Sequence, residues 1–272
     1  YKWSVTVVII LISITSSGQK IDSLKYLLQN KNGMDRFDVL YQLAYEYIDV
    51  DNELGLHYAN EASKIAWKYG DSLRIVKAGK IKSLVFESLG NLDSAISTAN
   101  EILPISIRNK YTFESESILN VLGFLSTYKA EYDKALKYHF QSLQLREEHG
   151  IMSAISIALN NIGLVYYKMK DYDKALSYYE RTLELRTKEG NKRSLAQLFI
   201  NMSLCHGFKN NFEAAKRLVD QAFKLCNDDC SRSFLLNANY SLGVISFGLN
   251  NLAEGEMQFL KSYELSIELG DE

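Results

Sequence analysis

Between Ala158 and Gly190 the apolar positions keep the period of an α-helix. Leu159, Ile162, Val165 and Tyr166 fall three and four residues apart, the spacing that one helix face requires. The Lys170-Asp171 pair interrupts this stripe, which resumes as Ala175, Leu176, Tyr179 and Leu183. Two amphipathic helices joined by a tight turn follow, with Asp171 placed to cap the second through its carboxylate. Gly163 and Ala175 lack bulk where the helices would cross, so the backbones can approach closely, with Tyr172 expected to fill the space beside them.

The same arrangement returns every 40 positions. A small residue recurs at Gly55, Ala95, Ala135, Ala175, Ala215 and Gly255, and three places earlier stands Leu92, Tyr132, Tyr172, Phe212 or Leu252, with Asn52 as the exception. Twelve places before the small residue lie Leu43, Ser83, Gly123, Gly163, Ser203 and Gly243. Fifteen places after it come Gly70, Gly150, Gly190 and Gly270, a pattern that Lys110 and Cys230 break. Glycine suits that position because a left-handed residue closes a helix without a Cβ clash. A strict period of this length marks a solenoid built from one supersecondary unit. The expected fold is all-α, a right-handed α-solenoid of about six helix-turn-helix repeats near 34–70, 71–110, 111–150, 151–190, 191–230 and 231–270. These repeats fill 34–272 after a leading segment at 19–33, and with β-branched runs absent beyond residue 15 no strand is expected.

The residues Gly163, Tyr166, Tyr172 and Ala175, together with the opening Asn160-Asn161-Ile162-Gly163, resemble the tetratricopeptide repeat. That repeat is about 34 residues long, so the 40-residue copies here resemble its long-helix variants. The proline near the end of the family's second helix is missing, and the only proline, Pro104, serves the second copy alone.

The first residues read differently. Lys2 precedes the apolar run Val5 to Ile14, and Ser16-Ser17-Gly18 offers small residues before Gln19, the pattern of a signal peptide over 1–18. The run is too short to span a membrane; the alternative is an apolar helix packed on the first repeat. Export would place the repeats in the periplasm or another extracytoplasmic space. There Cys226 and Cys230 are within reach of a disulfide, with two free thiols as the other reading, while Cys205 belongs to the core.

Formal net charge is −2 and both signs are scattered, so the concentrated basic stripe that nucleic acid needs is absent. His57, His139, His149 and His206 lie in different copies without a Cys, Ser or carboxylate at motif spacing, and His139 reads as a hydrogen-bonded packing residue. Carboxylate groups such as Glu147-Glu148 and Asp228-Asp229 fall at turns. No phosphate loop or metal-ligand spacing occurs, so the sequence predicts no catalytic residue, cofactor or metal and points away from an enzyme.

What the resemblance implies is a protein or peptide partner. In that family the first helices line a concave groove, which on this chain would present Lys77, Lys80, Asn120, Phe124, Tyr128, Asn160, Leu164, Tyr167, Tyr240 and Phe247. Asparagines there can hold a partner's backbone, aromatic rings supply anchor area, and Lys77, Lys80, Asn120 and Asn160 partly resemble the family's clamp for a carboxylate. Packing against the next repeat is the alternative for Tyr128 and Tyr167. The sequence ends on a repeat boundary at Gly270-Asp271-Glu272, where Phe259, Leu260, Tyr263 and Leu265 would leave an apolar face open without a cap. The leader and the segment from Ile21 to Asp71 resemble the extracytoplasmic sensor regions of bacterial histidine kinases. This resemblance implies an output domain beyond Glu272 and a membrane link only through a segment not present in this sequence. A free periplasmic or secreted adaptor is the alternative, and an accessory repeat region of an enzyme is more distant.

Overall fold

The computed structural model of the 272-residue chain describes residues 18–48, 50–226 and 230–269. Every regular element among these is an α-helix, α1 (18–29) being followed by six helical hairpins. The hairpins are α2 (Gly33–Glu46) with α3 (Asn52–Tyr69), α4 (Ser72–Ser88) with α5 (Leu92–Arg108), and α6 (Thr112–Tyr128) with α7 (Tyr132–His149). Then come α8 (Met152–Lys168) with α9 (Tyr172–Glu189), α10 (Lys192–Phe208) with α11 (Phe212–Cys226), and α12 (Arg232–Gly248) with α13 (Leu252–Leu269). First helices start at 72, 112, 152, 192 and 232, and second helices at 92, 132, 172, 212 and 252, so the 40-residue period is carried into the structure without slippage. The architecture is a helical-repeat one. Of the expected leader at 1–18, only Gly18 lies within the described residues, where it opens α1.

The chain divides into two compact units, Tyr1–Lys129 and Ala130–Glu272, the division falling in the turn between α6 and α7. In the first unit Phe37 and Leu40 of α2 bury against Ala62 and Ala66 of α3 and Ile75 and Ala78 of α4. The leading segment has structure of its own: α1 sets Ile21 and Leu24 on Val39, Leu43 and Tyr47. In the second unit Ala175, Leu176 and Tyr179 of α9 meet Leu198, Met202 and Cys205 of α10, and burial pushes the Cys205 thiol up to about 12. Repeat proteins bury their apolar faces in this nearest-neighbour way.

Local chemistry sets the joints. The carboxylate of Asp171 accepts from the amide of Lys174 at 3.2 Å, as the sequence suggests, and Asp51, Asp71 and Asn91 cap α3, α4 and α5 likewise. Gly90, Ala130, Lys170, Asn210 and Asn250 share one turn position, and all are left-handed, with φ from 57° to 71°. Lys110 interrupts the glycine pattern yet still adopts φ 56°. One local expectation needs correcting: the ring of Tyr179, not Tyr172, occupies the space over Gly163. Tyr172 instead stacks on Phe208 at 5.5 Å between ring centroids.

Candidate functional site

In the first unit, α4 and α6 carry five of the expected groove residues. Two of the five, Phe124 and Tyr128, stand one turn apart on α6, with their ring centroids 4.7 Å apart. Phe124 is 38% and Tyr128 67% exposed, although an apolar surface of that size would ordinarily be covered in a core. They form one wall of a cleft of about 710 Å³, to which α2 contributes Tyr45, the turn after it Ile48, and α4 contributes Leu84 and Glu87. Tyr128 is therefore open to a partner rather than consumed by packing. Asn120 lies half-buried one turn before Phe124.

The expected clamp does not form around Lys80. Its ammonium lies 2.5 Å from a carboxylate oxygen of Glu114, with only 16% and 10% of the two side chains exposed. An ammonium so neutralised has little charge left for an incoming carboxylate. Lys77 sits half-buried nearer the start of the same helix.

In the second unit the expected residues divide by role. Asn160 accepts from the amide of Asn201 at 3.3 Å, and Asn201 in turn accepts from Gln197 at 3.3 Å, forming an amide ladder from α8 to α10. Leu164 is half-buried on α8. Tyr167 is a packing residue: its ring lies 5.9 Å from Tyr172 and 6.0 Å from Phe208, and burial raises its phenol pKa well above the ordinary value. Tyr240 and Phe247 both rest on Phe259, at 5.5 and 5.4 Å, and keep 39% and 46% of their surface exposed. Phe259 is thus covered by its own hairpin, contrary to its expected place on an open face, whereas Leu260 and Tyr263 do face outward.

Two further groups bear on chemistry. His139 is buried, as expected, but its Nδ1 has no hydrogen-bond partner, so it is not the satisfied packing residue anticipated. Burial, and secondarily the charge of Arg146, depresses its pKa to about 4, which keeps the ring neutral near pH 7. Cys226 and Cys230 are joined, with Cα atoms 5.3 Å apart. Among the described residues there is no cluster of three or more His, Cys, Asp or Glu able to hold a metal, and no helix long and apolar enough to cross a membrane.

Tyr45, Glu87, Gln197 and Asn201 were not foreseen as site residues. Glu87 lies four places after Ser83, the register at which Tyr167 and Phe247 follow Gly163 and Gly243, so the repeat pattern alone could have found it. Asn201 lay off the groove register, since the residue 40 places after Asn160 is Ile200.

Residues 154–228 match the tetratricopeptide repeat family model. No curated protein matches the sequence. Among solved structures, a signal transduction ATPase with numerous domains and a tetratricopeptide repeat sensor, from Pyrococcus horikoshii, aligns with a TM-score of 0.78 at 18% identity. The alignment covers 97% of this chain and 42% of the ATPase, so the chain spans less than half of that protein. A Rap protein complexed with competence and sporulation factor aligns with a TM-score of 0.69 at 16% identity, over 97% of this chain and 73% of that one. NprR in complex with its cognate peptide NprX gives 0.69 at 14% identity, over 92% and 74%. At such identities the shared property is the fold.

Proposed function

We propose that this chain is a peptide- or protein-binding scaffold that serves as the exported sensor region of a bacterial signalling protein of the histidine kinase type, with its output domain outside this sequence. The observation that carries the binding part is the open aromatic wall of Phe124 and Tyr128 on a cleft of about 710 Å³. Exposed rigid rings in a concavity are what interfaces use as anchors. Structures of the same fold with a bound peptide, such as NprR with NprX, support this reading. In it the chain catalyses nothing, and its buried His139 and Cys205 serve packing alone. The export part rests on the apolar run before Gly18 and the small residues that follow it.

The binding test is a peptide array probed with the full chain. Phe124→Ala should weaken the strongest signals at least about fivefold, since losing a central anchor costs more than about 1 kcal/mol. Changes at Lys137 and Ser177, exposed on the second helices, should leave them unchanged. Equal binding by all variants would remove the cleft as the site. Export is tested separately by expressing the chain with a start codon in a Gram-negative host. A mature form beginning at Gln19 supports export, and an uncleaved cytoplasmic protein overturns it.

A further inference from the structure

At three joints between hairpins, one side chain near the end of the second helix reaches across to the next first helix. Ser106 meets Ser115, Oγ to Oγ, at 2.8 Å, while Arg146 and Arg186 each donate from Nη1 at 2.7 Å to the carbonyl oxygen eight residues on, that of Ala154 and of Ser194. Four places after the two arginines stand Gly150 and Gly190, left-handed at φ 68° and 69°, which close α7 and α9. At the joint between α11 and α12 the same two positions, 40 places on from Arg186 and Gly190, hold Cys226 and Cys230, joined to each other. Cysteine has neither the guanidinium fork nor the freedom of glycine. One covalent bond therefore stands where an arginine strap and a glycine stand at the two joints before it. Both cysteines are half-buried, and Cys226 lines a cleft of about 520 Å³ together with Phe234, Arg186 and Lys192. A small thiol has room to approach there, and the positive charges favour the thiolate that attacks or leaves. The third cysteine, Cys205, is fully buried with its thiol pushed up to about 12, so it takes no part in exchange.

We propose that the bridge between Cys226 and Cys230 is a redox-operated clasp, through which the docking of the last hairpin, α12 with α13, follows the balance of thiols and disulfides around the protein. Opening it takes a dithiol. One thiolate attacks a bridge sulfur, the sulfur–sulfur bond breaks and the other cysteine leaves as a thiolate; the second thiol then displaces the cysteine still attached. Two electrons and two protons end on Cys226 and Cys230, and the dithiol departs as a disulfide. The hairpin responds as one piece, because within it Tyr240 and Phe247 rest on Phe259 and Ser262 donates to the carbonyl of Leu236 at 3.0 Å. Once the clasp is open, the face that Phe234, Ala238 and Ile245 bury against α10 and α11 must hold the hairpin without the arginine and glycine of the earlier joints. This role does not depend on the peptide-binding reading, although Tyr240 and Phe247, two expected groove residues, ride on the hairpin that it governs.

Hydrogen exchange of the full chain with and without dithiothreitol tests this, with alkylation under native conditions reporting the thiols. Cys226 and Cys230 should resist alkylation before reduction and accept it afterwards. Reduction should speed exchange in α12 and α13 about tenfold, the scale of removing one short covalent loop, and leave α8 and α9 as they were, since repeat stability is a nearest-neighbour property. Cys226→Ser with Cys230→Ser should exchange like the reduced protein whether or not the dithiol is present. Cys226→Arg with Cys230→Gly, which rebuilds the earlier joint, should stay protected and ignore the dithiol. The proposal falls if both cysteines alkylate before reduction, if reduction leaves exchange in α12 and α13 unchanged or speeds it evenly in every helix, or if Cys226→Arg with Cys230→Gly responds to the dithiol as wild type does.

Discussion

Tyr179 fills the space that a side chain at Gly163 would need: a β-carbon built there falls 2.5 Å from the ring carbon Cε1. Tyr179 is fully buried, so its ring cannot swing into solvent to relieve the overlap. Gly163→Ala should therefore cost about 1–3 kcal/mol through overpacking. Chemical denaturation measures the loss, and hydrogen exchange should confine it to α8, α9 and their neighbours. Tyr179→Leu in the same chain should relieve part of it, whereas an unchanged stability in Gly163→Ala would mean the two helices are not held this closely.

The left-handed turn residues give a prediction of opposite sign. Ala130 and Lys110 hold φ 57° and 56° with a β-carbon in place, a conformation that disfavours L-residues other than Asn and Asp. Ala130→Gly and Lys110→Gly should each raise stability by about 0.5–1 kcal/mol, and Gly90→Ala should lower it by a similar amount. Thermal melts of the three variants decide this.

His139 couples the fold to pH. Above pH 6.5 it is neutral in both folded and unfolded chains and contributes no pH dependence. Between 6.5 and about 4 the unfolded chain takes up a proton that the folded one refuses, so stability falls as the pH falls. The loss is complete below about 4 and amounts to about 3 kcal/mol. In His139→Phe that part of the slope should vanish, so denaturation midpoints of variant and wild type should diverge between pH 6.5 and 4. Parallel curves would show that the ring is protonated without cost.

Lys80 and Glu114 should behave as a structural pair. Lys80→Met leaves the carboxylate of Glu114, 10% exposed, without its counter-charge and should cost about 2–3 kcal/mol. Adding Glu114→Gln should recover most of that. A double-mutant cycle measures the coupling, and a value near zero would return Lys80 to the set of residues available to a partner.

The helical framework was legible because it depends on short-range chemistry. Ala175, Gly150 and Gly190 mark crossings and helix ends by their own size and conformational freedom, and Asp171 declares its cap locally. Lys110 hid its turn because the backbone there is set by the two helices it joins rather than by its own preference. At the site, Phe124 and Tyr128 were readable from their place in the repeat. The fate of Lys80 was not, since Glu114 is 34 residues away in sequence and meets it only once α4 and α6 are packed. Tyr167 was ambiguous for a related reason: whether a groove-register ring is open depends on the residue 41 places on, here Phe208, which covers it.

The invariant pitch of the hairpins has a consequence for how such a chain can change. Because helix starts from α4 onward recur at 40-residue steps, two copies of the coding segment can recombine out of step by one repeat and still join helix to helix and turn to turn in frame. Each junction would reproduce backbone geometry already present in the chain, so gain or loss of a hairpin asks for no new turn. Length is then free to vary, while a single hairpin, such as the one that carries Leu84 and Glu87, can diverge by itself.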